Sequence, residues 1–136
     1  MLKLSSQTAL VVDDDPDTRA YMAVVLRRYG CEVLEAADGV EALELTWGKK
    51  PDFICLDLML PELSGLQVCQ RVREDVRTQH IPILVVTART GLDDRAYAME
   101  AGANGFLDKP FRRCAFLASL ETLLYGRQQS NTSPVA

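Results

Sequence analysis

Several residue types and patterns are scarce in this sequence, and each shortage excludes a class of protein. Its apolar runs are only a few residues long, far short of the ~20 that a membrane-spanning helix needs, so we expect no membrane span and no membrane partner. The segment 1–7 lacks the basic start and apolar stretch of a signal peptide, which favours a cytoplasmic location. Lys and Arg total 15 against 19 Asp and Glu, a net charge of -4 that disfavours direct nucleic-acid binding.

Side chains and loops that commonly hold cofactors are also scarce. The only histidine, His80, is expected in a solvated loop. No glycine-rich loop follows the first apolar run, where a nucleotide or flavin would need a phosphate cradle. The four cysteines lack the C-x-x-C spacing of metal or redox sites and mostly lie in apolar patterns, which favours reduced packing thiols: Cys31, Cys55, Cys69 and Cys114.

The chain of 136 residues has the length of one ordinary domain and alternates between two periodicities. Short apolar runs typical of buried strands are each followed by apolar residues at helical spacing. Capping residues support the helix starts: Asp15 before Pro16, and the capping-box pairs Asp38 with Glu41 and Ser64 with Gln67. The predicted strands are 9–12, 33–36, 53–56, 82–86 and 105–107, and the predicted helices cover 16–29, 40–47, a segment opened by residue 64, 93–101 and 112–125.

Five successive strand–helix units predict a doubly wound α/β fold. Right-handed crossovers return every strand in the same direction, giving a five-stranded parallel sheet covered by helices on both faces. We place this domain at residues 8–126 and interpret 127–136 as a flexible C-terminal tail or the start of a linker.

Polar side chains follow four of the predicted strands. Asp13 and Asp14 follow the first strand, Asp57 the third, Thr87 the fourth and Lys109 the fifth, so the fold would gather all five at one sheet edge. Three carboxylates at low dielectric repel one another, and one lysine compensates only part of that charge. Oxygen ligands of this kind suit Mg²⁺, although a run of three acids taken alone is more often a helix cap or a solvated loop.

Four motifs at these positions resemble the receiver domains of two-component response regulators, in particular the chemotaxis-regulator-like family. They are VDDDPDTR near the start, LDLMLPELSG around Asp57, VVTA at Thr87 and GFLDKPF around Lys109, and the resemblance spans about residues 8–125. It implies a flavodoxin-like (βα)5 fold with strand order 2-1-3-4-5.

The resemblance also implies residue roles at the phosphorylation site. Asp57 would be the phosphoacceptor, a carboxylate nucleophile in an in-line transfer. Asp14, Asp57 and the backbone carbonyl of Met59 would bind Mg²⁺ directly and Asp13 through water, with Mn²⁺ able to substitute. The small Ala88 would leave the approach to this site open.

A second group of residues would sense the phosphoryl group. Lys109 would pair with one phosphoryl oxygen and the Thr87 hydroxyl would donate to another. The Lys109–Pro110 bond matches the cis peptide of the family. Phe106 matches its aromatic switch position, with an ordinary core side chain as the alternative.

Together these roles imply a switch that accepts a phosphoryl group from a histidine kinase or phosphotransfer protein. The surface formed by helix 4, strand 5 and helix 5 would then control an effector or output domain, with a homodimer left open. A phosphorylation-independent, receiver-like interaction module is the alternative. A freestanding phosphatase would need a second carboxylate two residues after Asp57, where Met59 stands, so we expect no external substrate beyond self-dephosphorylation.

Overall fold

The structure, a computed structural model, describes residues 2–126, in which five strands alternate with five helices. The strands are β1 (Thr8–Val12), β2 (Glu32–Ala36), β3 (Phe53–Leu56), β4 (Ile83–Thr87) and β5 (Gly105–Asp108). The helices are α1 (Pro16–Arg28), α2 (Gly39–Lys49), α3 (Gly65–Glu74), α4 (Leu92–Ala101) and α5 (Arg113–Glu121). A π-helical turn, Thr122–Gly126, extends α5.

All strand pairs are parallel, and the sheet order is β2-β1-β3-β4-β5. This confirms the flavodoxin-like α/β fold predicted from the sequence. The order places β1 beside β3 and β3 beside β4, so the residues that follow these strands meet at one edge.

Side chains alternate between two apolar layers on the two faces of the sheet. Leu10 and Ile54 belong to the layer under α2, α3 and α4, whereas Val11 and Phe53 belong to the layer under α1 and α5. Because both faces are covered, the central strand β3 is buried at every position. Each fully buried side chain of this kind contributes roughly 1.5–3 kcal/mol, which makes the sheet a rigid support for its edge.

The helix caps agree with the sequence at α1 and α3 and differ at α2. The Ser64 side chain accepts from Gln67 N and the Gln67 side chain accepts from Ser64 N, completing the predicted capping box of α3. At α2 the Asp38 carboxylate accepts from Glu41 N, but the Glu41 carboxylate accepts from Ala37 N instead of Asp38 N. The capping box predicted there is therefore half formed, with the second contact one residue further back.

The chain ends of the described region pack against each other. Leu2 and Leu4, which precede the predicted domain start at residue 8, are buried in the layer under α1 and α5. Tyr125 donates its hydroxyl to the carbonyl oxygen of Lys3 at 2.9 Å. The α-helical part of α5 ends at Glu121 because the chain widens into the π turn, so the predicted helix 112–125 is shorter as an α-helix. The expected tail, 127–136, lies outside the described residues.

Three of the cysteines are buried, and Cys114 is exposed on α5. Burial raises the pKa of the Cys31 and Cys69 thiols to about 11. It also raises the pKa of the Cys55 thiol. These thiols stay protonated near neutral pH, which fits packing groups. Across residues 2–126, no helix has the combined length and apolar character needed to cross a bilayer.

Candidate functional site

Three carboxylates converge at the edge of the sheet where β1 and β3 end. The Asp57 backbone N–H donates to the Val12 carbonyl oxygen at 3.0 Å, which holds the acid after β3 against the end of β1. Asp13 is fully buried, Asp57 is 5% exposed and Asp14 is exposed. One oxygen from each of these three acids lies within 4.8 Å of the others.

Lys109 brings a positive charge into this cluster from the end of β5. Its Nζ lies 2.7 Å from Asp13 Oδ2 and 2.8 Å from Asp57 Oδ2. The Lys109 backbone N–H donates to the Thr87 carbonyl oxygen at 2.9 Å, and the Lys109–Pro110 peptide bond is cis. Asp13 and Asp57, which precede Lys109 by 96 and 52 positions in the sequence, therefore share one ammonium group.

The charges of the cluster do not balance. Three carboxylates face one ammonium, which leaves two formal negative charges uncompensated. Burial raises the pKa of Asp13, although hydrogen bonds from Lys109 and from the Asp15 N–H act in the opposite direction. Burial lowers the pKa of Lys109, but the hydrogen bonds and charge interactions with Asp13 and Asp57 together outweigh burial, so the pKa is raised. The site therefore favours an added positive charge.

The donor set fits a hard divalent cation. All of the clustered side-chain ligands are carboxylate oxygens, the type that Mg²⁺ prefers, and no sulfur or imidazole is among them. Asp57 Oδ1 accepts from the Met59 N–H at 3.0 Å, so the Met59 backbone lies beside the cluster, although Met59 as a whole residue is 53% exposed. The site is buried at Asp13 and open at Asp14.

Thr87 and Phe106 lie on neighbouring strands behind the cluster. Thr87, predicted to come directly after the fourth strand, is the last residue of β4. It is fully buried, and its Oγ1 accepts from the Arg89 N–H at 3.2 Å. Ala88 is exposed beside it. Phe106 pairs in register with Val85 and is partly buried against the layer under α2, α3 and α4.

Two residues support the cluster that the sequence did not single out. Arg19 on α1 donates from Nη1 to the Asp13 carbonyl oxygen at 2.8 Å. Gly65, the first residue of α3, packs so closely that a Cβ there would lie 2.3 Å from the Asp57 carbonyl oxygen. The glycine after the Ser64 cap is a detectable signal for such a close approach, but no spacing rule points to Arg19.

The family model for the response regulator receiver domain matches residues 9–121. This match covers most of the chain. The chain belongs to the response-regulator receiver domain family. As a receiver domain it is a component of two-component signalling, and the predicted resemblance is confirmed.

Curated relatives agree with this assignment. The chain is 40% identical over 115 residues to the DNA-binding dual master transcriptional regulator RpaA of Synechocystis sp., covering 85% of this chain and 48% of that protein. It is 39% identical over 130 residues to the transcriptional regulatory protein PrrA of Mycobacterium tuberculosis, covering 96% of this chain and 55% of PrrA. The receiver domain thus spans about half the length of these curated relatives.

Solved structures are similar over nearly their whole length. The chemotaxis protein CheY4 of Vibrio cholerae superposes with a TM-score of 0.83 at 31% identity, covering 89% of this chain and 99% of that one. The receiver domain of the sensor histidine kinase PA1611 of Pseudomonas aeruginosa, solved with a magnesium ion coordinated in its active-site cleft, superposes with a TM-score of 0.79 at 31% identity. That match covers 86% of this chain and 96% of the PA1611 domain.

Proposed function

We propose that this receiver domain is a phosphorylation-dependent switch in which Asp57 accepts a phosphoryl group from a histidine kinase or phosphotransfer protein. The observation that carries the proposal is the Lys109 ammonium held between the buried carboxylates of Asp13 and Asp57. A cation fixed 2.8 Å from an Asp57 oxygen is placed to meet the negative oxygens of an incoming phosphoryl group.

The transfer is an in-line displacement at phosphorus. An Asp57 carboxylate oxygen forms the new P–O bond while the P–N bond of the phosphohistidine breaks, and the imidazole leaves with the electron pair and takes up a proton. Lys109 moves from an Asp57 oxygen to a phosphoryl oxygen and keeps its bond to Asp13. The product is an aspartyl phosphate on this chain, so the domain acts as a signalling switch and turns over no external substrate.

Asp14, Asp57 and the Met59 backbone carbonyl would hold Mg²⁺ directly, and Asp13 would hold it through water. The support is the all-oxygen donor set, the uncompensated negative charge and the magnesium ion in the PA1611 receiver domain. When bound, the ion would neutralise negative charge on the transferring group. Mn²⁺ has similar ligand preferences and would substitute.

Phosphorylation would be read through Thr87 and Phe106. A phosphoryl oxygen would draw the Thr87 hydroxyl away from the Arg89 N–H, and the Phe106 ring would move into the space behind it. The affected surface is formed by α4, β5 and α5, and a partner or output domain that prefers the changed surface shifts the equilibrium in proportion to that preference. RpaA, of which this chain matches about half, is a DNA-binding regulator, so an output module is one such reader.

Phosphotransfer from purified, radiolabelled histidine kinases tests this function. Wild type should gain label from at least one kinase in the presence of Mg²⁺, and Asp57→Asn should gain none. Asp93→Asn, which removes an exposed acid from the first turn of α4, is the matched control and should behave as wild type. Partner binding that is equal with and without phosphodonor, and equal in Asp57→Asn, would instead favour the phosphorylation-independent interaction module.

A further inference from the structure

The N-terminal half of α4 has few apolar contacts with the rest of the domain. The buried residues of this helix are Ala98 and Ala101, both in its second half, and each buries only one methyl group. Leu92, at its first position, is 88% exposed. Because apolar burial is the main attachment of a helix to a sheet, this half of α4 depends on other contacts for its position.

Arg95 supplies such a contact and directs it to the aromatic switch position. Its guanidinium carbon lies 4.7 Å from the centroid of the Phe106 ring, within the range of a cation–π interaction. Its Nη2 also lies 3.9 Å from Asp108 Oδ1, a long ion pair between exposed groups. Phe106 and Asp108 are two residues apart on β5, so both project from the same face of the sheet.

The two residues that Arg95 contacts flank the end of β4. Asp108 pairs in register with Thr87, and Phe106 pairs with Val85. Arg95 on α4 therefore contacts the two β5 residues that pair with the end of β4. The last residue of β4 is Thr87, whose hydroxyl is proposed to sense the phosphoryl group. The neighbouring pair of Arg89 and Asp94, 3.1 Å apart, joins the β4–α4 loop to the helix.

We propose that Arg95 is a positioning residue that holds the Phe106 ring in its half-buried orientation and so couples this ring to α4. Its link to phosphorylation rests on the proposed function, because only a phosphoryl group on Asp57 would draw Thr87 and make room for the ring. The orientation effect itself requires no phosphoryl group. Loss of the cation–π contact should raise the population ratio of the alternative to the observed ring orientation roughly two- to fivefold.

The Phe106 rotamer can be measured directly in uniformly ¹³C,¹⁵N-labelled protein. Three-bond couplings from the backbone N and carbonyl C to the ring Cγ report the χ1 populations. Arg95→Gln should show the increased ratio, whereas Arg113→Gln, which removes an equal charge from an exposed position on α5, should match wild type. Asp108→Asn should change the ratio of the two ring orientations less than twofold, because the long, exposed ion pair between Asp108 and Arg95 is weak.

Addition of beryllofluoride and Mg²⁺, which imitate the phosphoryl group, separates this inference from the proposed function. In Arg95→Gln the beryllofluoride concentration that produces half of the change in Phe106 ring orientation should fall by the same two- to fivefold factor. An unchanged rotamer ratio in Arg95→Gln, or an equal change in Arg113→Gln, would overturn the role of Arg95. A changed ratio in Arg95→Gln with no response to beryllofluoride in any variant would uphold the role of Arg95 and contradict the proposed function.

Discussion

Replacement of Lys109 by methionine should destabilise the protein through the two carboxylates that it leaves behind. Methionine keeps most of the aliphatic length and removes the ammonium, so packing changes little. In wild type the ammonium bonds Asp13 at 2.7 Å and Asp57 at 2.8 Å, and these carboxylates are 0% and 6% exposed at the side chain. Without Lys109, two buried charges at close range have no cationic partner.

The expected loss follows from burial. Removing one partner of a buried ion pair costs about 3–5 kcal/mol, and the Lys109 side chain is 17% exposed next to the exposed Asp14, which places the expected loss near the lower end, about 3 kcal/mol at pH 7. The pKa of Asp13 is already raised by burial and rises further without the lysine, so its protonation at low pH relieves the repulsion. A raised folded-state pKa means that stability is lost as pH rises through that pKa, so the defect should shrink towards pH 4.

Urea unfolding in the presence of EDTA measures this loss as a change in the free energy of unfolding. Lys49→Met, which removes an exposed ammonium at the end of α2, is the control and should change stability by less than about 0.5 kcal/mol. In an Asp13→Asn background, Lys109→Met should cost about half as much, because one of the two orphaned charges is gone. A loss below 1 kcal/mol, or an equal loss in both backgrounds, would refute the charge argument.

Three further predictions concern the packing of two glycines, the hydrogen bonds of Arg73 and the reactivity of the cysteines. Gly65→Ala should destabilise the fold by roughly 1–3 kcal/mol and slow phosphorylation, because the added Cβ would lie 2.3 Å from the Asp57 carbonyl oxygen. In Gly48→Ala the added Cβ would meet no neighbouring atom within 4 Å, so this control should stabilise α2 by about 0.8 kcal/mol in urea unfolding. Arg73→Gln should lower the unfolding free energy by about 2 kcal/mol, because its guanidinium donates to three backbone carbonyls and one side chain. Iodoacetamide at pH 8 should label Cys114 alone, as followed by peptide mass, because the other three cysteines are buried. Since burial raises the pKa of Cys31 and Cys69 to about 11, the contribution of these thiols to stability should hold below pH 9 and be lost as pH rises through 11.

The parallel sheet and the meeting of the acids were predictable from periodicity and chain direction, whereas the strand order was predicted through the family resemblance. Ala9–Val12 and 53–56 are continuous apolar runs that end in acids, and parallel strands bring such ends together. The roles carried by the family motifs, from Asp57 to Lys109, needed the resemblance in addition, since a run of acids alone also fits a helix cap.

Other features depend on three-dimensional contacts that no local pattern encodes. The bond from Arg19 to the Asp13 carbonyl and the stacking of Arg95 on Phe106 join residues through the packing of helices on the sheet. From the sequence, Arg95 is either a partner contact or one more charge on a solvated helix face. The burial of Leu2 and Leu4 likewise depends on the position of the chain end beneath α1 and α5.

The most direct test of the account is to locate a phosphoryl group on the folded chain. The protein would be incubated with acetyl phosphate, with Mg²⁺ or with EDTA, quenched rapidly and reduced with borohydride, which converts an aspartyl phosphate to a stable product for peptide mass analysis. We expect modification at Asp57 that requires Mg²⁺ and is absent in Asp57→Asn. Modification of a different residue, or none in folded wild type with acetyl phosphate, phosphoramidate or any phosphorylated histidine kinase, would contradict the account.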